Sequence, residues 1–410
     1  MYLSKFEEKL LSGELGEAKA LAMKVLVAVG EALGAQETIE ITHAHISGIS
    51  YFNIGDAGLN FINDLLIRGG RVEVFTSANP HMVLDDFLGV RHSDEVINKQ
   101  LAIIEALNRL GVSFYTCVPY NVRPPRYGEH LAWAESNAVL YSNSVLGSRS
   151  NKEGGPLALL AALVGRTYKS GVHLKDGRIP EVLIDVESPQ SPVEKSFLGL
   201  MIGDLIGNRI PYVRGIKFSN NYELKAFLSS IGTSSNTAMT VIEPVTPDYR
   251  ELFADGDFKE RLMVTYNDLK KYMDGLRREL SGGRGLYLIG CPHLSYRELK
   301  TVLMKLAVMA SKVGGYTPFN DRELWITTHK SFLDRDVVNM LGKLSRYNVK
   351  VISDGCAIVS RIDRLGINYM VTDSIKACNY VSRLSKLPVV TVELDELVRW
   401  YFLGRGIEGF

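Results

Sequence analysis

Apolar residues along this chain recur in two rhythms, most plainly in its second half. Short apolar runs at 286–289, 324–326, 349–352, 369–371 and 387–392 read as buried strands. Polar loops follow them, and then apolar positions at helical spacing, as at Leu299, Val302, Leu303, Leu306 and Met309. Ahead of that stripe, Ser295 and Glu298 form a capping box, in which each side chain satisfies an orphan backbone donor. Strands alternating with helices in this way predict parallel α/β layers, and 394–402 predicts a closing helix.

The first half is less regular. Residues 1–34 predict helix, and 38–42 a strand running into a glycine-rich loop at 44–58. A helix at 59–68, a strand at 71–76, a helix at 97–110 and a strand at 112–116 follow, the last ending at Cys117. Residues 171–186 resemble a hairpin with Asp176 and Gly177 at its turn. Helices are predicted at 196–206 and 222–230, with a small-residue loop at 232–236. Gly290, Cys291, Pro292 and His293 predict a turn that ends the strand before them. Residues 119–155 form a long polar stretch holding His130, Glu135, Asn137, Asn143, Ser144, Arg149 and Lys152; a loop-rich region of that size is usually functional. The fold class is α/β, with mainly parallel sheets and two expected lobes at 1–215 and 216–410.

Charge and composition narrow the function. Lysine and arginine number 47 against 46 for aspartate and glutamate, a net charge of +1 that argues against nucleic acid as a partner. The N-terminus reads as an amphipathic helix through Lys5, Glu7, Glu8 and Lys9, not as an export signal. The longest apolar runs, such as 157–164, are too short to span a bilayer, so a cytoplasmic protein is expected. The four cysteines lie far apart without a CxxC pair, which in that compartment suits thiols or metal ligands.

Three of those cysteines share one address. Cys117, Cys291 and Cys356 each follow a predicted strand directly or within a tight turn. Singly, each fits a half-buried thiol. Together they suit an iron–sulfur cluster with one iron left open, whereas structural zinc normally shows closely paired ligands. Cys378 lies inside the predicted helix opened by Ser374 and reads as a packing residue. Lys376, in that helix's first turn, opposes the helix dipole and suits a nearby anion or a solvated surface position. Ser50, Gly55, Asn79 and Asn137 fit either ligand contacts or ordinary turns. Arg149 and Lys152 suit a phosphate or carboxylate, or simply solvent, and His293 and His329 follow strands. No P-loop, GxSxG, HExxH or dinucleotide fingerprint occurs.

Several blocks carry a family resemblance. They are Ser47-Gly-Ile-Ser-Tyr51, Asn53-Ile-Gly-Asp-Ala-Gly58, Tyr115-Thr-Cys-Val-Pro-Tyr120 and Gly128-Glu-His-Leu-Ala-Trp-Ala-Glu-Ser-Asn137. Asn143-Ser-Val-Leu-Gly147, Gly290-Cys-Pro-His293 and Asp373-Ser-Ile-Lys376 complete the set. Over nearly its whole length the chain resembles the large subunit of the aconitase X family. The resemblance implies an aconitase-like fold of α/β/α layers around a central cluster cleft, all 410 residues forming one catalytic unit. It implies a 4Fe–4S cluster on Cys117, Cys291 and Cys356 with one open iron. Implied substrate contacts are Gly48, Ile49, Ser50, Asn79, Pro80, Asn137, Asn143, Ser144 and Lys376. The implied partner is a small swivelling subunit that carries the catalytic base, a serine.

Archaeal members dehydrate phosphomevalonate, a phosphorylated hydroxy acid, to trans-anhydromevalonate 5-phosphate. Bacterial members dehydrate cis-3-hydroxyproline, which is the enzymatic alternative; an iron-sensing RNA-binding protein is the non-enzymatic one. Two departures from the family pattern stand out: no proline follows Cys356, and Cys378 occupies a position where a small residue is expected.

Overall fold

The computed structural model describes residues 1–276, 280, 282–313 and 319–404. Among them, three parallel sheets organise the chain. The first runs in the order Phe114–Tyr115, Phe75–Ala78, His43–Ile46, Leu131–Trp133. The second runs Val241–Ile242, Pro211–Arg214, Val182–Val186, Glu260–Val264. The third has five strands: Val349–Ser353, Arg322–Thr328, Gly285–Leu294, Tyr369–Thr372 and Val389–Thr391.

The third sheet is buried on both faces, as parallel sheets generally are. Along Gly285–Leu294, Tyr287 and Ile289 enter one core with Leu303 and Ile326. Leu286 and Leu288 enter the opposite core with Trp325 and Met370. A strand whose alternate residues are all apolar has no solvent face, which is why its sequence shows a continuous run. The first two sheets have their own cores, around Leu26, Ile62 and Leu163 in one and Ile184, Phe227 and Ile231 in the other.

A short parallel bridge between Gly355–Cys356 and His81–Met82 ties the third sheet's loops to the first unit. Helix Ser136–Ser144 of the first unit packs on Asn221–Ser234 of the second, which in turn meets Ile375–Leu384 of the third. All three units therefore touch near the strand ends that carry cysteines.

Several expectations are corrected. The strand through Leu286 does not stop at Gly290; it runs Gly285–Leu294, with a register shift between Ile289 and Leu294. Gly290 permits this, since its φ is +102° and a Cβ there would stand 2.5 Å from the Thr327 carbonyl oxygen. No hairpin spans 171–186: single 3₁₀ turns at Gly171–His173 and Asp176–Arg178 precede Val182–Val186, whose partners are parallel and distant in sequence. Buried Arg178, bonded to the Ser148 carbonyl at 3.1 Å and paired with Asp248, holds that turn where Asp-Gly chemistry alone suggested a reversal.

The stretch 119–155 is not loop-rich. It holds a 3₁₀ turn, the strand Leu131–Trp133 and the helix Ser136–Ser144, with Asn137, Ser142, Asn143 and Ser144 fully buried. Likewise 44–58 is mostly the strand His43–Ile46 and the helix Tyr51–Ile67, and 232–236 is helical as far as Ser234. Polar side chains can line helices and strands in a core where internal hydrogen bonding satisfies them.

Candidate active site

The three cysteines arrive from separate strands, two of them at strand ends. Cys117 lies just beyond Phe114–Tyr115, Cys291 lies within Gly285–Leu294, and Cys356 closes the two-residue strand Gly355–Cys356. Each thiol lies in the electrostatic field of another: Cys291 acts on Cys117, Cys356 on Cys291, and Cys117 on Cys356. Burial pushes Cys117 and Cys291 up to about 12 and Cys356 up to about 11.

His293 brackets the three cysteine segments. Its backbone N–H donates to Cys117 Sγ at 3.2 Å, and it stands two residues after Cys291. Its Nε2 lies 3.0 Å from the carbonyl oxygen of Gly355, which can only accept, so Nε2 carries the proton. Its Nδ1 then accepts from the Thr116 hydroxyl at 3.3 Å, beside Cys117. Burial lowers its pKa to about 3, so the ring is neutral at physiological pH.

Three half-buried thiols with hydrogen-bonded surroundings are a soft, anionic donor set once ionised, as an iron–sulfur cluster requires. Among the described residues, no three His, Cys, Asp or Glu side chains converge closely enough for a single metal ion.

Lys376 occupies the same centre, within the field of all three thiols. Ser374 caps its helix by accepting from the Ala377 N–H at 3.1 Å. Of the two readings of Lys376, the solvated surface position is excluded: the side chain is buried and ion-paired with Glu135. Burial opposes its charge, but Glu135 and the thiols outweigh this and hold its pKa above the usual lysine value.

The other candidates divide. Ser50 hydrogen-bonds the Val359 carbonyl at 2.7 Å, which brings the segment Gly48–Ile49–Ser50 to the Cys356 loop. Gly155 lets this segment pack closely, since a Cβ there would lie 2.3 Å from the Ser47 carbonyl oxygen. Asn79 and Pro80 precede His81–Met82, the strand paired with Gly355–Cys356. Asn137 donates to the Tyr120 hydroxyl at 3.0 Å, and its Oδ1 is buried without a hydrogen-bond partner.

Asn143 and Ser144 are engaged elsewhere. Asn143 bonds Ser150 through both its amide groups and also the Ala238 carbonyl; Ser144 Oγ accepts from the Thr240 N–H at 2.9 Å. Arg149 serves the His173 carbonyl at 3.0 Å, and Lys152 the carbonyls of Gly232 and Ser235 at a helix end. Cys378 sits half-buried against the core that also meets Cys291 and Cys356. The roles of Glu135 and the pair His43–His45 were missed; His-x-His facing Ser-x-Asn on an adjacent strand was the available signal for the latter.

A cavity of about 790 Å³ lies to one side, between helix N-termini near Pro192, Asn221, Asp373 and Glu393, and none of the three cysteines lines it. No helix among the described residues is long and apolar enough to cross a membrane.

The first domain of aconitase X matches residues 1–176, its second domain 180–274 and its third 285–402. The chain is 36% identical over 368 residues to the phosphomevalonate dehydratase large subunit of Thermococcus kodakarensis, covering 88% of this chain and 90% of that one. The enzyme subunit of the same name from Methanosarcina mazei is 37% identical, covering 93% and 92%. The cis-3-hydroxy-L-proline dehydratase of Pseudomonas aeruginosa is 31% identical, covering 93% of this chain but 67% of that protein. The crystal structure of holo-form aconitase X from Thermococcus kodakaraensis matches with a TM-score of 0.88 at 34% identity, covering 97% of this chain and 99% of that one. The α/β architecture with mainly parallel sheets agrees with that match, and the chain belongs to the aconitase X family.

Proposed function

We propose that this chain is the large subunit of a phosphomevalonate dehydratase, a hydro-lyase whose iron–sulfur cluster is held by Cys117, Cys291 and Cys356. The observation that carries the reading is the meeting of three half-buried thiols with a buried lysine at one centre. The relatives named phosphomevalonate dehydratase large subunit support the substrate, at higher identity and over more of their own length than the hydroxyproline dehydratase.

When bound, an open iron supplies Lewis acidity for the departing hydroxyl. The chain's own residues bind and orient. Lys376 offers an ammonium to the substrate's carboxylate or phosphate, with Glu135 keeping it charged inside the protein. The segment Gly48–Ile49–Ser50 leads into a single helical turn at 51–54, which Gly55, at φ +54°, sets off from the longer helix beyond it. Asn79 and Asn137 add amide groups.

Near the thiols, Glu135 is committed to Lys376, and His293 to Thr116 and Gly355. In line with the family resemblance, the proton acceptor is assigned to a small partner subunit, which also shuts water out of the cleft. The name "large subunit" borne by the relatives supports such a partner.

The test uses the anaerobically purified chain with and without an aconitase-like small subunit. Phosphomevalonate should lose water, followed by NMR of the alkene proton, and only with both chains present. Turnover by the large chain alone, or of cis-3-hydroxyproline in place of phosphomevalonate, would overturn the assignment.

A further inference from the structure

Strand pleating sets four polar residues in a line beside the candidate cleft. His43 and His45 alternate along the strand His43–Ile46, so both rings leave the same face. His45 stands opposite Ser77 in the neighbouring parallel strand, and Asn79 lies two residues beyond Ser77. His43 Nε2 is 2.8 Å from Ser77 Oγ, and His45 Nδ1 is 2.8 Å from the same oxygen. His45 Nε2 is 2.9 Å from Asn79 Oδ1. His43, His45 and Ser77 are wholly buried, and the edge-on Trp133 ring lies 4.9 Å and 6.2 Å from the two imidazoles.

Donor and acceptor rules give this line one direction. An amide oxygen only accepts, so His45 Nε2 holds the proton. In a neutral ring Nδ1 is then the acceptor, and the Ser77 hydroxyl hydrogen points to it. The Ser77 oxygen in turn accepts from His43 Nε2–H. His43 Nδ1 is left bare, and it is buried without a hydrogen-bond partner among the described residues. Burial keeps both rings neutral, pushing His45 down to about 4 and His43 well below its ordinary value. At the other end, Asn79 Oδ1 is occupied, and its Nδ2 makes no hydrogen bond among the described residues. Asn79 is half-buried and adjoins the strand paired with Gly355–Cys356.

We propose that His45, aligned by Ser77 and His43, is a positioning residue that turns the Asn79 carbonyl inward and its N–H groups toward the cleft. That position then receives a substrate oxygen, from a carboxylate, phosphate or hydroxyl, and repels a substrate N–H donor such as a ring ammonium. The inference rests on Asn79 belonging to the substrate site of the proposed dehydratase.

Two measurements on the assembled enzyme test it. In a histidine-¹⁵N-labelled complex, His43 and His45 should both read as neutral Nε2–H tautomers at pH 7, and Ser77→Ala should disturb the His45 signature. In kinetics, Ser77→Ala frees the Asn79 amide to turn over, and KM for phosphomevalonate should rise about tenfold with a smaller change in kcat. In an Asn79→Ala background the same change should move KM by less than about twofold, since a residue acting only through Asn79 has nothing left to act on.

Equal KM effects in both backgrounds would overturn the proposal, and so would an Nδ1–H or charged His45 at pH 7. Should the complex not dehydrate phosphomevalonate, the functional reading fails separately, and the tautomer measurement still decides the positioning.

Discussion

Lys376 and Glu135 form a buried ion pair between the third and first units, 241 residues apart in sequence. Glu135 also caps the helix Ser136–Ser144, accepting from the Ala138 N–H at 2.6 Å. One carboxylate thus fixes a helix start and neutralises the lysine beside the thiols. The pair alters what substitution of Lys376 does. A lysine opposing only a helix dipole would leave the fold no less stable when removed; here removal strands a buried carboxylate.

Lys376→Ala and Glu135→Gln are each expected to lower stability by about 3 kcal/mol or more, the scale of breaking a buried pair. Replacing both, as Lys376→Met with Glu135→Gln, should recover much of that stability while activity stays lost. Chemical denaturation alongside kinetics measures this. Unchanged stability in either single variant would show that the pair is not closed in solution.

Each of Cys117→Ser, Cys291→Ser and Cys356→Ser is expected to strip the purified complex of iron and of its visible absorbance. A serine oxygen is a poor substitute for a soft thiolate. Cys378→Ser should retain both, because that side chain lies in the helix Ile375–Leu384, against the core. Anaerobic iron and sulfide analysis reads the outcome, and iron loss from Cys378→Ser alone would reassign the ligands.

His293→Ala should loosen the cysteine loops without touching a thiol. It leaves the Gly355 carbonyl and the Thr116 hydroxyl without their ring partner, at about 1–3 kcal/mol for each buried group. Faster iron release to a chelator than in the unaltered complex is the expected readout. Identical release rates would confine His293 to simple packing.

Glu153 provides a pH test away from the thiols. Burial raises its carboxyl to about 7, although Tyr168 donates to it at 2.7 Å. A carboxyl that binds its proton more tightly when folded adds stability below its unfolded pKa of about 4.5. That contribution is lost as pH rises through about 7. Relative to Glu153→Gln, the native chain should lose on the order of 2–3 kcal/mol between pH 4.5 and 7.5. Parallel pH profiles for the two proteins would show that Glu153 is solvated.

Much of this protein could be read from local sequence. The alternating apolar runs and capped helices of the second half named every strand of the third sheet, because a doubly covered parallel strand must be apolar throughout. The strand-end positions of Cys117 and Cys356 were legible because a strand fixes where its loop emerges, whereas Cys291 lies inside its strand, past the irregularity at Gly290. Tertiary structure decided the rest. Whether 171–186 reversed into a hairpin depended on partners far away in the chain, at Pro211–Arg214 and Glu260–Val264. Whether Asn143 faced a substrate or the Ser150 backbone depended on which surface closed over it. The charge state of Lys376 was set by Glu135, from another unit, and no periodicity along a chain encodes a contact between residues that meet only when three sheets pack together.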